Sequence, residues 1–131
     1  MSQALHSMIR VLDLDRSIDF YRQALGFEVS GRFDFDSFTL VYLRNEESTF
    51  ELELVANKGA AEPYDLGSGY GHFAVCVANL EAERQRLTDR GLEPEPVKEL
   101  SHEGSLLGRY FFLADPDGYR IEILERAGRF A

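Results

Sequence analysis

The stretch Ala114-Asp115-Pro116-Asp117-Gly118-Tyr119-Arg120-Ile121-Glu122-Ile123-Leu124 decides how the rest of the chain is read. Its first half is a turn: Pro116 pre-sets φ at the second position, the Asp side chains can accept from nearby backbone N–H groups, and Gly118 tolerates positive φ. Its second half alternates, with Tyr119, Ile121 and Ile123 on one face of a strand and Arg120, Glu122 and Leu124 on the other. Arg109 to Leu113, aromatic and apolar, is the expected partner strand of a hairpin. Glu122 therefore sits mid-strand, pointing away from the Ile face. Alone it is an ordinary surface carboxylate; only matching residues elsewhere change that reading.

Outward from this hairpin the second half of the chain reads as a strand from Gly71 to Val77, a helix begun by Asn79 and stopped by Gly91, a short strand over Val97 to Leu100, a polar loop from Ser101 to Gly108, and the hairpin itself. The first half has the same order. Gln3 to Val11 alternates as a strand, Asp13 and Asp15 offer N-caps, and Ile18, Tyr21 and Leu25 mark a helix stripe closed by Gly26. Phe27 to Val29, Phe38 to Leu43 and Thr49 to Val55 follow as strands, with a turn over Arg44 to Ser48. Laid over each other, His6 falls on His72, Val11 on Val77, Leu14 on Leu80 and, after a one-residue gap, Gly26 on Gly91. Glu53 and Glu122 both lie in the final strand of their half. The organisation is an internal duplication, with modules at about residues 3–56 and 70–126 joined by a Gly- and Ala-rich linker over 57–69.

Composition bounds the class. A chain of 131 residues, 44% hydrophobic and 28% charged, has the balance of a soluble globular domain. No apolar run approaches the roughly 20 residues of a membrane helix. The formal charge of −9, with no clustered Lys or Arg, argues against a nucleic-acid surface. An anionic small molecule would have to be held by a few local cations. A single cysteine, Cys76, and an amino terminus without a basic, apolar leader point to the reducing cytoplasm. A lone thiol on a strand is expected to be buried. Asp34-Phe35-Asp36 and Glu46-Glu47 read as turn acids, since no full loop of oxygen ligands follows, and His102 as a solvated loop residue.

Strand parity gathers the chemistry. Phe50, Leu52 and Leu54 face one way, leaving Glu51 and Glu53 on the other side, and Glu122 has the same relation to Ile121 and Ile123. His6 and His72 lie opposite Ile9/Val11 and Val75/Val77. All four then share the face that helices do not cover. Singly, an exposed His or an amphipathic-strand Glu is an ordinary surface group. Two His and two Glu at matching places of two repeats suit a borderline divalent metal with positions left open for substrate.

These residues carry a family resemblance. Leu5-His6-Ser7-Met8-Ile9-Arg10-Val11, Arg16-Ser17-Ile18-Asp19-Phe20-Tyr21, Leu25-Gly26-Phe27, Glu51-Leu52-Glu53-Leu54, Asn57-Lys58-Gly59, Gly69-Tyr70-Gly71-His72 and the Asp115 to Ile123 hairpin resemble glyoxalase I, lactoylglutathione lyase, of the vicinal-oxygen-chelate superfamily. The likeness spans Leu5 to Glu125. It implies an α+β fold of two tandem βαβββ modules forming a cupped mixed sheet around a metal. It implies His6, Glu53, His72 and Glu122 as metal ligands, Glu122 as the catalytic base with Glu53 its pseudo-symmetric counterpart, and Arg10 and Asn57 as contacts to the glutathione γ-glutamyl group. It also implies one divalent metal per site, nickel or cobalt rather than zinc, and a homodimer with sites shared between subunits. The implied reaction converts the hemithioacetal of methylglyoxal and glutathione to S-lactoylglutathione by moving a proton between adjacent carbons.

The resemblance is weakest at the loop before the last hairpin. Ser101-His102-Glu103-Gly104-Ser105-Leu106-Leu107-Gly108-Arg109 lacks the family's usual Lys and contains an acid. Arg109 or Lys98 would have to replace that charge, and Glu103 would suit a more cationic thiol. Two other readings compete. An epimerase or ring-cleaving dioxygenase shares the superfamily, but the dioxygenase uses two His and one carboxylate, which Glu53 exceeds. A metal-free drug-binding or drug-resistance protein would have no use for four ligand groups.

Overall fold

The computed structural model describes residues 1–131, and the chain divides into two compact units, Met1–Asp65 and Leu66–Ala131. The first contains β1 (His6–Arg10), α1 (Leu14–Leu25), β2 (Glu28–Asp34), β3 (Phe38–Arg44) and β4 (Glu51–Asn57). The second contains β5 (His72–Val77), α2 (Leu80–Asp89), β6 (Lys98–His102), β7 (Ser105–Ala114) and β8 (Arg120–Glu125), followed by a 3-10 turn over Gly128–Phe130. Each unit is a four-stranded mixed sheet, ordered β1-β4-β3-β2 in one and β5-β8-β7-β6 in the other. The first strand pairs parallel with the last, and the remaining pairs are antiparallel. The fold is therefore α+β, with two tandem βαβββ modules.

Both helices begin on a side-chain cap in extended backbone. Asp13, at φ −125°, accepts from the Arg16 N–H at 3.1 Å, and Asn79, at φ −126°, accepts from the Ala82 N–H at 3.0 Å. Gly26, left-handed at φ 66°, ends α1 and donates its N–H to the Arg22 carbonyl. The stripe that α1 buries is Ser17, Phe20, Tyr21 and Ala24, not the expected Ile18, Tyr21 and Leu25. The observed set follows i, i+3, i+4, i+7, so the buried face is turned so that Ile18 and Leu25 flank it. α2 is anchored mainly by Leu80 and Leu87, both fully buried. The helices lie against β2 and β4 in the first module and against β7 and β8 in the second.

Strand parity holds along the core. Leu52, Leu54, Val41 and Leu43 are buried in the first module, as are Phe111, Leu113, Ile121 and Ile123 in the second. The Asp115 turn closes as its residues dictate. The Asp115 carboxylate, 5% exposed, accepts from the Asp117 and Tyr119 N–H groups at 2.9 Å each, the Gly118 N–H donates to the Asp115 carbonyl, and Gly118 takes φ 93°.

Two expectations need correction. Residues 101–108 are not a polar loop: β6 and β7 run through them, and only Glu103-Gly104 turns, at φ 50° and 79°. Two successive left-handed residues make the tight turn that matches strand twist. The side chains of this hairpin are largely exposed, so apolar alternation had nothing to mark. Likewise β2 continues from Val29 to Asp34, past a bulge at Ser30, along mostly exposed residues.

Candidate metal centre

The parallel pairing of β1 with β4 sets Met8 opposite Glu53 and His6 opposite Glu51. From there the His6 imidazole Nε2 reaches the Glu53 Oε2 at 2.9 Å. In the second module β5 and β8 pair Ala74 with Glu122 and His72 with Arg120, the same offset, and His72 Nε2 lies 3.6 Å from Glu122 Oε2. Each module thus brings one imidazole and one carboxylate together on the face opposite its buried leucines and isoleucines. The imidazoles remain about two-fifths exposed, whereas the Glu53 and Glu122 side chains are 11% and 18% exposed. Borderline nitrogen beside hard oxygen, with the imidazole edge open, fits a divalent ion. No group of three or more His, Cys, Asp or Glu that could hold a metal ion gathers in the chain; what it brings together are two His–Glu pairs.

An aromatic ring stands beside each pair, delivered by the middle strand. Tyr42 is the register partner of Glu53, and its ring meets His6 edge-on with centroids 5.6 Å apart. Phe112 is the partner of Glu122 and meets His72 in the same way at 5.3 Å. The Tyr42 hydroxyl hydrogen-bonds to Glu53; that bond, then burial and the charges of Glu53 and Glu51, push its pKa up, so it stays a neutral donor. Phe112 has no such donor, and its face is instead covered by the Arg120 guanidinium, 3.8 Å from the ring centroid. Arg120 also pairs with Glu95 at 2.9 Å. Sequence alone does not single out Tyr42: alternation with buried Val41 and Leu43 is the pattern of any amphipathic strand, and only the register sets it opposite Glu53.

Arg10 lies at the far end of β1 on the His6 face, opposite Val55, and Asn57 ends the neighbouring β4. Four residues of strand put Arg10 about 13 Å from His6. Asn57 accepts a constraint from the linker side: its amide donates to the Tyr64 hydroxyl at 3.2 Å. Arg109 is not a free replacement for the missing loop Lys. Its guanidinium reaches Glu81 of α2, Glu99 of β6 at 3.5 Å and Glu125 of β8. Bonds to Glu81 and Glu125 push its pKa further up, while Glu81 is held below its usual range by the same contact. Cys76 is exposed rather than buried, because the face it shares with His72 carries no helix. The open hollow under Gly26, Val29 and Asn45 contains none of these ligands.

Comparison with known proteins agrees with this architecture. Residues 3–123 match the model of the glyoxalase/bleomycin resistance protein/dioxygenase superfamily, and the chain belongs to that superfamily. Curated proteins similar to the chain include lactoylglutathione lyases. The Haemophilus influenzae lactoylglutathione lyase is 39% identical over 94% of this chain and 92% of its own length. A probable lactoylglutathione lyase of Synechocystis sp. is 36% identical over 95% of this chain and 96% of its own. Plant relatives are longer, and the chain spans 35% of a chloroplastic one from Arabidopsis thaliana. Among solved structures, the trypanothione-dependent glyoxalase I of Leishmania major superposes with a TM-score of 0.76 at 36% identity, over 95% of this chain and 87% of that one.

Proposed function

We propose that this chain is a metal-dependent lactoylglutathione lyase, converting the hemithioacetal of methylglyoxal and glutathione to the S-lactoyl thioester. The observation that carries the reading is the repeated His–Glu pair: His6 with Glu53 at 2.9 Å and His72 with Glu122 at 3.6 Å, at the same register in both modules. The kinship to lactoylglutathione lyases over nearly the whole chain supports it.

His6 and Glu53 of a first module with His72 and Glu122 of a second would hold one divalent metal, nickel or cobalt in preference to zinc, which would supply Lewis-acid polarisation of the hemithioacetal oxygens. A homodimer completes each such site with modules of two subunits. His6 and His72 serve as ligands through Nε2. The Glu122 carboxylate takes the proton from the carbon bonded to sulfur and returns it to the neighbouring carbon, which needs one carboxylate oxygen within hydrogen-bond reach of that C–H. Arg10 and Asn57, at one end of the first module's sheet, hold the γ-glutamyl end of the thiol. The roughly 13 Å between Arg10 and His6 suits a tripeptide laid along the strand at about 3.3 Å per residue. With Arg109 committed to three carboxylates and Arg120 paired with Glu95, Lys98 of β6 is the candidate cation for a glycyl carboxylate. The setting is the cytoplasm, where the thiol is abundant and Cys76 stays reduced.

The test is thioester formation, followed by ultraviolet absorbance, with metal-free protein loaded with nickel, cobalt or zinc and given methylglyoxal with glutathione or trypanothione. Thioester with nickel or cobalt and glutathione is expected. No thioester with any of these metals and thiols would refute the reading.

A further inference from the structure

The chain enters its two histidine strands differently. His6 and His72 are each the first residue of their strand, so half of what fixes each imidazole is the segment that leads into it. In the first module that lead, Met1 to Leu5, is exposed throughout and is tied to β4 by the bond from the Glu51 N–H to the Leu5 carbonyl at 3.0 Å. His6 Nε2 then lies 2.9 Å from Glu53, a hydrogen-bond distance that holds the ring directly. His72 Nε2 lies 3.6 Å from Glu122, beyond that distance. Phe112 borders the His72 ring edge-on at 5.3 Å, but a ring edge does not set the direction of the backbone that carries the imidazole.

What leads into His72 is packed instead. The run Leu66-Gly67-Ser68-Gly69-Tyr70-Gly71 turns over residues 67–69 and lies along the turn that opens β8. The Leu66 Cδ1 stands 3.6 Å from the point a Cβ on Gly118 would occupy, and the Tyr70 ring meets the Tyr119 ring edge-on, with centroids 5.1 Å apart and planes at 72°. Tyr119 is a firm seat: it is 7% exposed, and its N–H donates to the buried Asp115 carboxylate at 2.9 Å. It directly precedes Arg120, the register partner of His72, and Glu122 follows two residues later. One aromatic contact therefore joins the entry of β5 to the entry of β8, just ahead of both candidate ligands.

We propose that Tyr70 is a positioning residue for His72: its ring, seated on Tyr119, fixes the path by which the backbone enters β5 and so aims an imidazole that Glu122 is too distant to hold. The inference rests on the metal site of the lyase reading above and adds to it a residue outside the ligand set. A ligand whose direction is set before the metal arrives loses less freedom on binding, and loss of such support costs about 10–100-fold in metal affinity.

The experiment uses the intact chain as wild type, Tyr70→Phe and Tyr70→Ala. Tyr70 is 39% exposed, so its truncation opens no core cavity and the thermal midpoint of Tyr70→Ala should stay close to that of wild type. Nitrogen-15 relaxation of metal-free protein should show the Gly71 amide order parameter falling from about 0.85 in wild type to below about 0.6 in Tyr70→Ala, with Leu5 and His6 unchanged. Calorimetric titration with cobalt(II) should show Tyr70→Ala binding about 10-fold more weakly. Tyr70→Phe keeps the ring and should match wild type in both measurements. An unchanged order parameter at Gly71, a cobalt affinity of Tyr70→Ala equal to wild type, or a Tyr70→Phe variant as impaired as Tyr70→Ala overturns the proposal. Wild-type protein that binds no cobalt fails the metal-site reading instead, and the relaxation comparison still decides whether Tyr70 fixes the entry to His72.

Discussion

Glu122 shows how much depends on a side chain's company. Its own strand makes it an unremarkable carboxylate beside Ile121 and Ile123. Its partner His72, 3.6 Å away, and the duplicate pair His6–Glu53 make it a candidate ligand and base. If it is the base, Glu122→Gln keeps the fold and loses roughly 100-fold or more in kcat with little change in KM for the hemithioacetal. If Arg10 holds a carboxylate of the thiol, Arg10→Ala raises KM about 10–100-fold, the loss of one charge-assisted hydrogen bond, and leaves kcat nearly unchanged. Steady-state kinetics on the two variants separates the roles, and a kcat effect at Arg10 would contradict its assignment. The candidate ligands could be picked out in sequence because His and Glu recur at matching strand positions. Tyr42 could not, because a tyrosine opposite Val41 and Leu43 has the pattern of any amphipathic strand until its register against Glu53 is known.

Among the elements, the α2–β7–β8 layer is tied by charge as well as by packing. Arg109 joins Glu81 of the helix to Glu99 and Glu125 of the sheet, and Leu87 anchors the helix beneath. Leu87→Ala should cost about 2–5 kcal/mol in a denaturant titration, because truncating this fully buried leucine leaves a cavity beneath the helix. The Glu81 carboxyl, hydrogen-bonded by Arg109, has a folded pKa below its ordinary 4.5, as does Asp34, bonded by Thr39, relative to 3.8. A depressed carboxylate stabilises the fold fully above its unfolded pKa and loses that contribution as pH falls through the folded value. The thermal midpoint should therefore hold above about pH 5 and drop below the ordinary carboxylate range, with a shallower drop in Glu81→Gln. An equal slope in that variant would show that the Arg109 contact contributes nothing. Helix starts at Asp13 and Asn79, the stop at Gly26 and the Asp115 turn were all readable, since each rests on local chemistry. The β6–β7 hairpin was not, because backbone pairing between exposed strands leaves no apolar period and its turn uses Glu103, a residue type that rarely signals a left-handed turn.

At the scale of the molecule, the repeat is the main fact: two βαβββ modules with the same strand order, the same parallel closure and the same His–Glu offset. That order was legible because strand, helix and turn signals recur in step along the chain, with His at the head and Glu at the tail of each copy. The exact face turned by α1 was not, since its buried Ser17 and Ala24 carry little apolar signal, nor was the length of β2, whose residues are mostly exposed. On the proposed reading a pair of ligands per module would be half of a four-ligand site, and two sites per homodimer would amount to one metal per chain. Sedimentation should accordingly give a dimer, and a monomer of full activity would contradict sharing between subunits. The most direct test of the central claim is a titration of metal-free protein with nickel or cobalt while thioester is formed from methylglyoxal and glutathione. The account predicts activity rising linearly to an end point at one metal per chain and vanishing on chelation. Thioester formed at the same rate without metal, or none at any metal ratio, would contradict it.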